Sequence, residues 1–243
     1  MLFRSTRTAA KPGEAEHRSP LRTIRSYVRR EGRITRAQQR ALTELWTKYG
    51  LDNGVTELDF IEVYGREAPV VMEVGFGNGD NLYHLARVNP DTDFLGVEVH
   101  RPGIGSLLLK LAREGIDNVR IICADAATVV ARQIPKASLA AVYLLFPDPW
   151  PKKRHHKRRL LQHAFVTQIV ERLRPAGDLH VATDWQDYAE HVLDVAAQVP
   201  GLINVAGEGS YVLSPRERVA TRFERRGRRL GHQIWELHFR RTA

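Results

Sequence analysis

The stretch Val70-Val71-Met72-Glu73-Val74-Gly75-Phe76-Gly77-Asn78-Gly79 decides the fold. Its first five residues are apolar apart from Glu73 and mostly β-branched, the signature of a strand buried on both faces. A glycine-punctuated turn follows, and then Leu82, Leu85 and Ala86 recur at helical spacing. Strand, glycine turn and helix make the opening unit of a parallel α/β sheet. The alternation continues down the chain. Further strands are read at Phe94–Val99, Val119–Cys123, Leu139–Phe146 and Gly177–Ala182. Between them lie a helix through Ile104, Leu107, Leu108, Leu111 and Ala112, and a weaker one from Ala126 to Gln133. A long apolar stripe follows at Leu160, Leu161, Ala164, Phe165, Ile169 and Leu173, and then a helix through Tyr188, Val192, Val195 and Val199. Near the end, Trp235, Leu237 and Phe239 alternate with polar residues, so a last strand is expected. It has no crossover helix before it, so it should run antiparallel.

Upstream, Thr35 can cap a helix beginning near Arg36, with Ala41, Leu42, Leu45 and Trp46 on one side. These patterns divide the chain into a disordered basic tail over 1–20, a helical extension over 21–66 and an α/β domain over 67–243. Of the 243 residues, 43% are apolar and 27% charged, an ordinary globular balance. No apolar run is long enough for a membrane span. The single cysteine, Cys123, excludes a disulfide framework and a thiolate metal cluster, and a cytoplasmic setting fits. No metal is expected, and no obligate protein partner is evident. Net charge is +9, but it is segregated: residues 1–40 hold 11 basic and 3 acidic side chains. Lys152–Arg159 adds +6 and Arg216–Arg229 adds +5, leaving −10 for the rest. An acidic body with three basic patches fits a polyanionic partner, most simply nucleic acid.

In open α/β sheets ligands bind outside the carboxyl ends of the strands. Five successive strand ends here deliver an acid: Glu73, Glu98, Asp125, Asp148 and Asp184. Asp125 and Asp148 could instead be helix caps. The loop Gly75-x-Gly77-x-Gly79 resembles a dinucleotide fingerprint, but Asp80 stands where pyrophosphate would rest and would repel it. A carboxylate at Glu98 suits two ribose hydroxyls, and Asp125 can accept an adenine amine. Adenosine without phosphate, joined to a positive centre, describes S-adenosylmethionine. The next loop, Phe146-Pro147-Asp148-Pro149-Trp150-Pro151, is stiffened by its prolines and offers one carboxylate and one aromatic able to stack on a base. The run Lys152-Lys153-Arg154-His155-His156-Lys157-Arg158-Arg159 follows without an acid, as a phosphate-contacting rim would.

These residues resemble the bacterial tRNA (guanine-N7)-methyltransferases. The resemblance rests on Glu73–Gly79, Phe94–His100, Phe146–Trp150 with its basic run, Ala182–Trp185, Thr221–Glu224 and Arg229–His232. Ser26–Arg30, Gly32–Arg36 and Gln39–Leu42 add to it, and it spans residues 22 to 241. It implies a Rossmann-like class I methyltransferase fold: a mostly parallel seven-stranded sheet, helices on both faces and an antiparallel C-terminal strand. It also implies methyl transfer from S-adenosylmethionine to N7 of the guanine at position 46 in the tRNA variable loop. On that likeness Glu73, Gly75, Gly77, Gly79, Glu98, Asp125 and Asp148 hold the cofactor, and Asp148 is catalytic. Lys152, Asp184, Thr221, Arg222, Phe223 and Glu224 fall where the family binds substrate. Lys153, Arg154, His155, His156, Lys157, Arg158 and Arg159 fall where it contacts RNA.

Overall fold

The computed structural model describes residues 26–27, 32–212 and 218–243, and the expected tail over 1–20 lies outside them. Before the α/β domain come α1 (Arg36–Glu44), α2 (Trp46–Tyr49), β1 (Gly50–Leu51) and α3 (Phe60–Tyr64). Thr35 caps α1 as its sequence suggests. Its hydroxyl accepts from Gln38 N at 3.2 Å, and Gln38 Oε1 returns a bond to Thr35 N at 2.8 Å, a complete capping box. The strands and helices of the main domain then alternate: β2 (Val70–Val74), α4 (Asp80–Val88), β3 (Asp93–Val97), α5 (Arg101–Glu114), β4 (Val119–Ile122), α6 (Ala126–Arg132) and β5 (Leu139–Leu145). A 3₁₀ turn at Lys153–Arg158 leads to α7 (His163–Arg172), β6 (Leu173–Thr183), α8 (Gln186–Ala197), β7 (Leu202–Asn204), α9 (Arg222–Arg229) and β8 (Trp235–Arg241).

The strands form one sheet in the order β1-β4-β3-β2-β5-β6-β8-β7. Every pair from β1 to β6 is parallel. β8 runs antiparallel to both β6 and β7. The sheet therefore has eight strands rather than the seven expected. The extra one, β1, pairs only Gly50 and Leu51 with Ile121 and Ile122, too short a segment to leave a periodic signal. Strand order reverses between β3-β2 and β2-β5, so the ligand crevice of this fold opens at the ends of these three strands.

Alternate side chains bury both faces. Met72, Val142, Leu144, Val181 and Phe239 pack with Val129, Phe165, Ile169, Tyr188 and Val192 of α6, α7 and α8. On the other face Phe94, Ile121 and Leu145 meet Leu82 and Leu85 of α4, Ile104 and Leu108 of α5, and Ala41 of α1. α1 lies close on α5 because Gly105 has no Cβ, which would stand 2.8 Å from that of Gln38. The apolar stripe starting at Leu160 begins helical only at His163. Leu161 precedes the helix and is fully buried, with its N–H donated to the Tyr188 hydroxyl at 3.3 Å. Among the described residues, no helix is long and apolar enough to cross a membrane.

Candidate active site

The glycine loop after β2 turns through positive φ at Gly75 (70°), Gly77 (57°) and Gly79 (71°), a conformation costly for other residues. Its backbone is pinned from the neighbouring strand end. Glu98 Oε2 accepts from Gly77 N at 2.8 Å, and Oε1 accepts from Val99 N (2.6 Å) and His100 N (2.9 Å). α5 begins against the same loop: a Cβ at Gly103 would lie 2.1 Å from the Gly77 carbonyl oxygen. Beneath the loop, Glu73 is 2% exposed and accepts from Asn81 Nδ2 at 2.9 Å. Burial pushes the Glu73 carboxyl up to about 7, and the Asn81 bond only partly offsets this. Asn81 Oδ1 is buried with no hydrogen-bond partner among the described residues. Asp80, opening α4, pairs with Lys110 and, at 3.2 Å, with Arg225 of α9. Burial opposes its ionisation, but the two cations outweigh burial and lower its pKa.

The loop after β5 carries Asp148, which is exposed and caps no helix. Phe146 (φ 54°) and Trp150 (φ 45°) hold left-handed conformations on either side of it, a local strain of the kind that clusters at functional sites. Trp150 is anchored, with one face taken by a cation. Its indole N–H donates to the Ser26 carbonyl at 2.9 Å, and the Arg158 guanidinium lies 3.8 Å from its ring centroid. His155 meets it edge-on. Arg159 likewise departs from the rest of the basic run. It is 3% exposed, donates to the Pro149 carbonyl at 3.0 Å, pairs with Asp187 of α8 and lies over the Tyr188 ring. It is a buried brace between two elements, not a surface RNA contact. Lys152, Lys153, Arg154 and Lys157 are exposed. Desolvation and the surrounding cations lower the pKa of His155.

The third wall comes from β6 and α9. Asp184 Oδ2 lies 3.0 Å from His232 Nδ1 and close to Gly227 of α9. Thr221 caps α9 by accepting from Glu224 N at 3.2 Å. Glu224 is 3% exposed, and its two oxygens pair with Arg218 (2.5 Å) and Arg228 (2.8 Å). The Thr221–Glu224 segment thus contributes structure through its ends and surface through its middle. Arg222 and Phe223 are exposed, and a Cβ at Gly77 would be 3.9 Å from the Phe223 ring. Beside Asp184, Trp185 is 41% exposed and is the open indole of this rim.

Glu73, Glu98, Asp125, Asp148 and Asp184 all lie at the carboxyl ends of their strands. Asp125 does cap α6, accepting from Ala127 N at 2.9 Å through one oxygen, which leaves the other available. Sequence reasoning missed Asn81 and Arg218, and it missed Lys110 and Arg225 because an ion pair across 30 or 145 positions leaves no local pattern. Asp178, His180 and His238 also cluster closely enough to be considered as metal ligands. However, His180 stacks on both Tyr143 (4.5 Å) and His238 (4.3 Å), so the in-plane lone pairs of the two imidazoles run side by side rather than converging. Arg240 also occupies Asp178 with two bonds. This cluster is a polar stack along the middle of β6.

A family model of putative methyltransferases matches residues 67–237. A tRNA (guanine-N(7)-)-methyltransferase of Alkalilimnicola ehrlichii is 52% identical over 223 residues, covering 90% of this chain and 93% of its own. One from Hydrogenovibrio crunogenus is 49% identical over 220 residues, covering 90% and 92%. The chain belongs to the tRNA (guanine-N(7)-)-methyltransferase family. Among solved structures, the 16S rRNA methyltransferase KamB shares the fold of this family member with a TM-score of 0.56 at 20% identity, covering 76% of this chain and 93% of that one. The sheet shared with that structure is the core of this protein, and β1 forms one of its edges.

Proposed function

We propose that the protein methylates N7 of guanine in tRNA, at position 46 of the variable loop, with S-adenosylmethionine as donor. The residues fit that donor. Among the described residues Glu98 Oε2 accepts one protein donor, so it retains a lone pair for a ribose hydroxyl. The glycine loop is open above Gly75. The orphaned Asn81 Oδ1 leaves an acceptor beneath the loop. Glu73, the three glycines, Glu98 and Asp125 would hold the donor. When bound, S-adenosylmethionine supplies a methyl group on a positively charged sulfur.

The observation carrying this reading is Asp148, exposed on a braced loop between the glycine cradle and a basic surface. Guanine N7 has an in-plane lone pair and no proton, so it needs no general base before attack. Asp148 can accept the guanine N1–H and exocyclic amine, orient the ring and stabilise the positive charge that grows on it. Asp184 and the exposed surfaces of Trp185 and Phe223 border the same acceptor space. Lys152 and the exposed part of the basic run face the phosphates. Incubation with labelled donor and undermodified tRNA, followed by nucleoside analysis, tests the proposal. Label in 7-methylguanosine is expected, and label in another nucleoside, or none, would overturn it.

A further inference from the structure

α9 is built with two unlike sides. Its inward side carries Glu224 and Gly227, three residues apart and both buried. Its flank is tethered: Arg225 pairs with Asp80 of α4, and Arg228 pairs with Glu224. The side opposite the buried pair carries Arg222, Arg226 and Arg229, spaced four and three apart and all exposed. That spacing puts them in one stripe, spread over about 10 Å of helix axis. None of the three has an acidic partner among the described residues. Neighbouring like charges at this spacing destabilise a helix, and Arg222 in the first turn also opposes the helix dipole. Glu224, the sole acid of the helix, is turned inward and consumed by other arginines. A stripe of this kind becomes stabilising when an external polyanion lies along it.

Its location says which polyanion. Phe223 lies over Gly77, Gly227 adjoins Asp184, and Arg218, which pairs with Glu224, lies near the Phe146 ring. α9 therefore crosses the rim from the end of β2 to the end of β6, beside Asp148. The basic 3₁₀ turn is fastened by Arg159 to α8, which covers the opposite sheet face. The acceptor space lies between two cationic elements, one from each face of the sheet. We infer that Arg222, Arg226 and Arg229 form a second phosphate-binding surface, gripping the substrate RNA across the acceptor nucleotide from the Lys152–Arg158 turn. This inference rests on the RNA-methylating reading above.

The test is tRNA binding by the full chain across a range of salt concentrations, comparing wild type with the triple variant Arg222→Gln, Arg226→Gln, Arg229→Gln. Three lost phosphate contacts should reduce the log–log salt slope by about 2 to 3. Melting temperature should hold or rise slightly and S-adenosylmethionine affinity should hold, because the Arg225, Arg228 and Arg218 tethers are untouched and only like-charge repulsion is removed. The triple lysine variant should keep the wild-type slope, since it keeps the charge. An unchanged slope in the glutamine variant would overturn the inference, as would a lysine variant that loses as much as the glutamine one. Wild-type protein that does not bind tRNA would instead remove the RNA-methylating reading itself.

Discussion

At the scale of single residues, two carboxylates at adjacent strand ends face opposite demands. Asp148 is exposed and stands ready to meet a developing cation. Asp148→Asn keeps the shape but removes the charge and sets an amide N–H₂ against the guanine donors. The single-turnover rate should fall about 10²–10³-fold, the scale for losing one preorganised electrostatic partner. Donor affinity measured by calorimetry should barely change, and a variant that keeps full rate would remove Asp148 from the chemistry. Glu73 is the reverse case, a buried carboxyl raised to about 7 from an ordinary value near 4.5. Folding therefore favours its protonated form. That stabilisation is full below about pH 4.5 and is lost as pH rises through 7. Glu73→Gln, which keeps an acceptor for Asn81, should be more stable than wild type at pH 8 by about 1–3 kcal/mol, with the gap closing at pH 4.5. Denaturant titrations at the two pH values check this, and an equal gap at both would mean that Glu73 does not titrate in that window. Of the site, the strand-end acids were legible in the sequence because each follows an apolar run. The roles of Arg159 and Trp150 were not: a basic run and an exposed aromatic look the same in sequence whether they face solvent or each other.

At the scale of elements, the parallel strands β2 to β6 and α4 to α8 announced themselves through apolar periodicity, and Thr35 as the cap of α1. α9 did not, because its buried stripe is a glutamate and a glycine satisfied by distant arginines rather than apolar side chains. The loop after β5 and the start of α8 are joined by Arg159, whose head group bonds Pro149 on one element and Asp187 on the other. Arg159→Met retains bulk but breaks the brace. Since Asp187 is largely exposed, the stability cost should be modest, about 1–3 kcal/mol. The catalytic cost should be larger, because a loop displaced by an ångström loses in-line geometry. The turnover number should drop at least tenfold, with the salt slope of tRNA binding retained. A variant that loses salt slope but keeps turnover would return Arg159 to the RNA-contacting surface.

At the scale of the whole molecule, the uneven charge finds a physical reading. The acid-rich strand ends converge on one rim, and basic elements from both sheet faces flank it. The doubly wound α/β architecture was legible in sequence because each strand–helix unit carries its own pattern. The eighth strand was not, because two residues paired to β4 carry none. The account as a whole stands on one atom of the substrate, N7 of a guanine presented between Asp148 and the donor cradle. The most direct measurement is methyl transfer to a tRNA carrying 7-deazaguanine at position 46, compared with the same tRNA carrying guanine there. The deaza base keeps the N1–H, the amine and the ring surface but puts carbon where the nucleophile should be. The account expects normal binding and transfer to the guanine tRNA, and binding without transfer to the deaza tRNA. Equal methylation of both would contradict it.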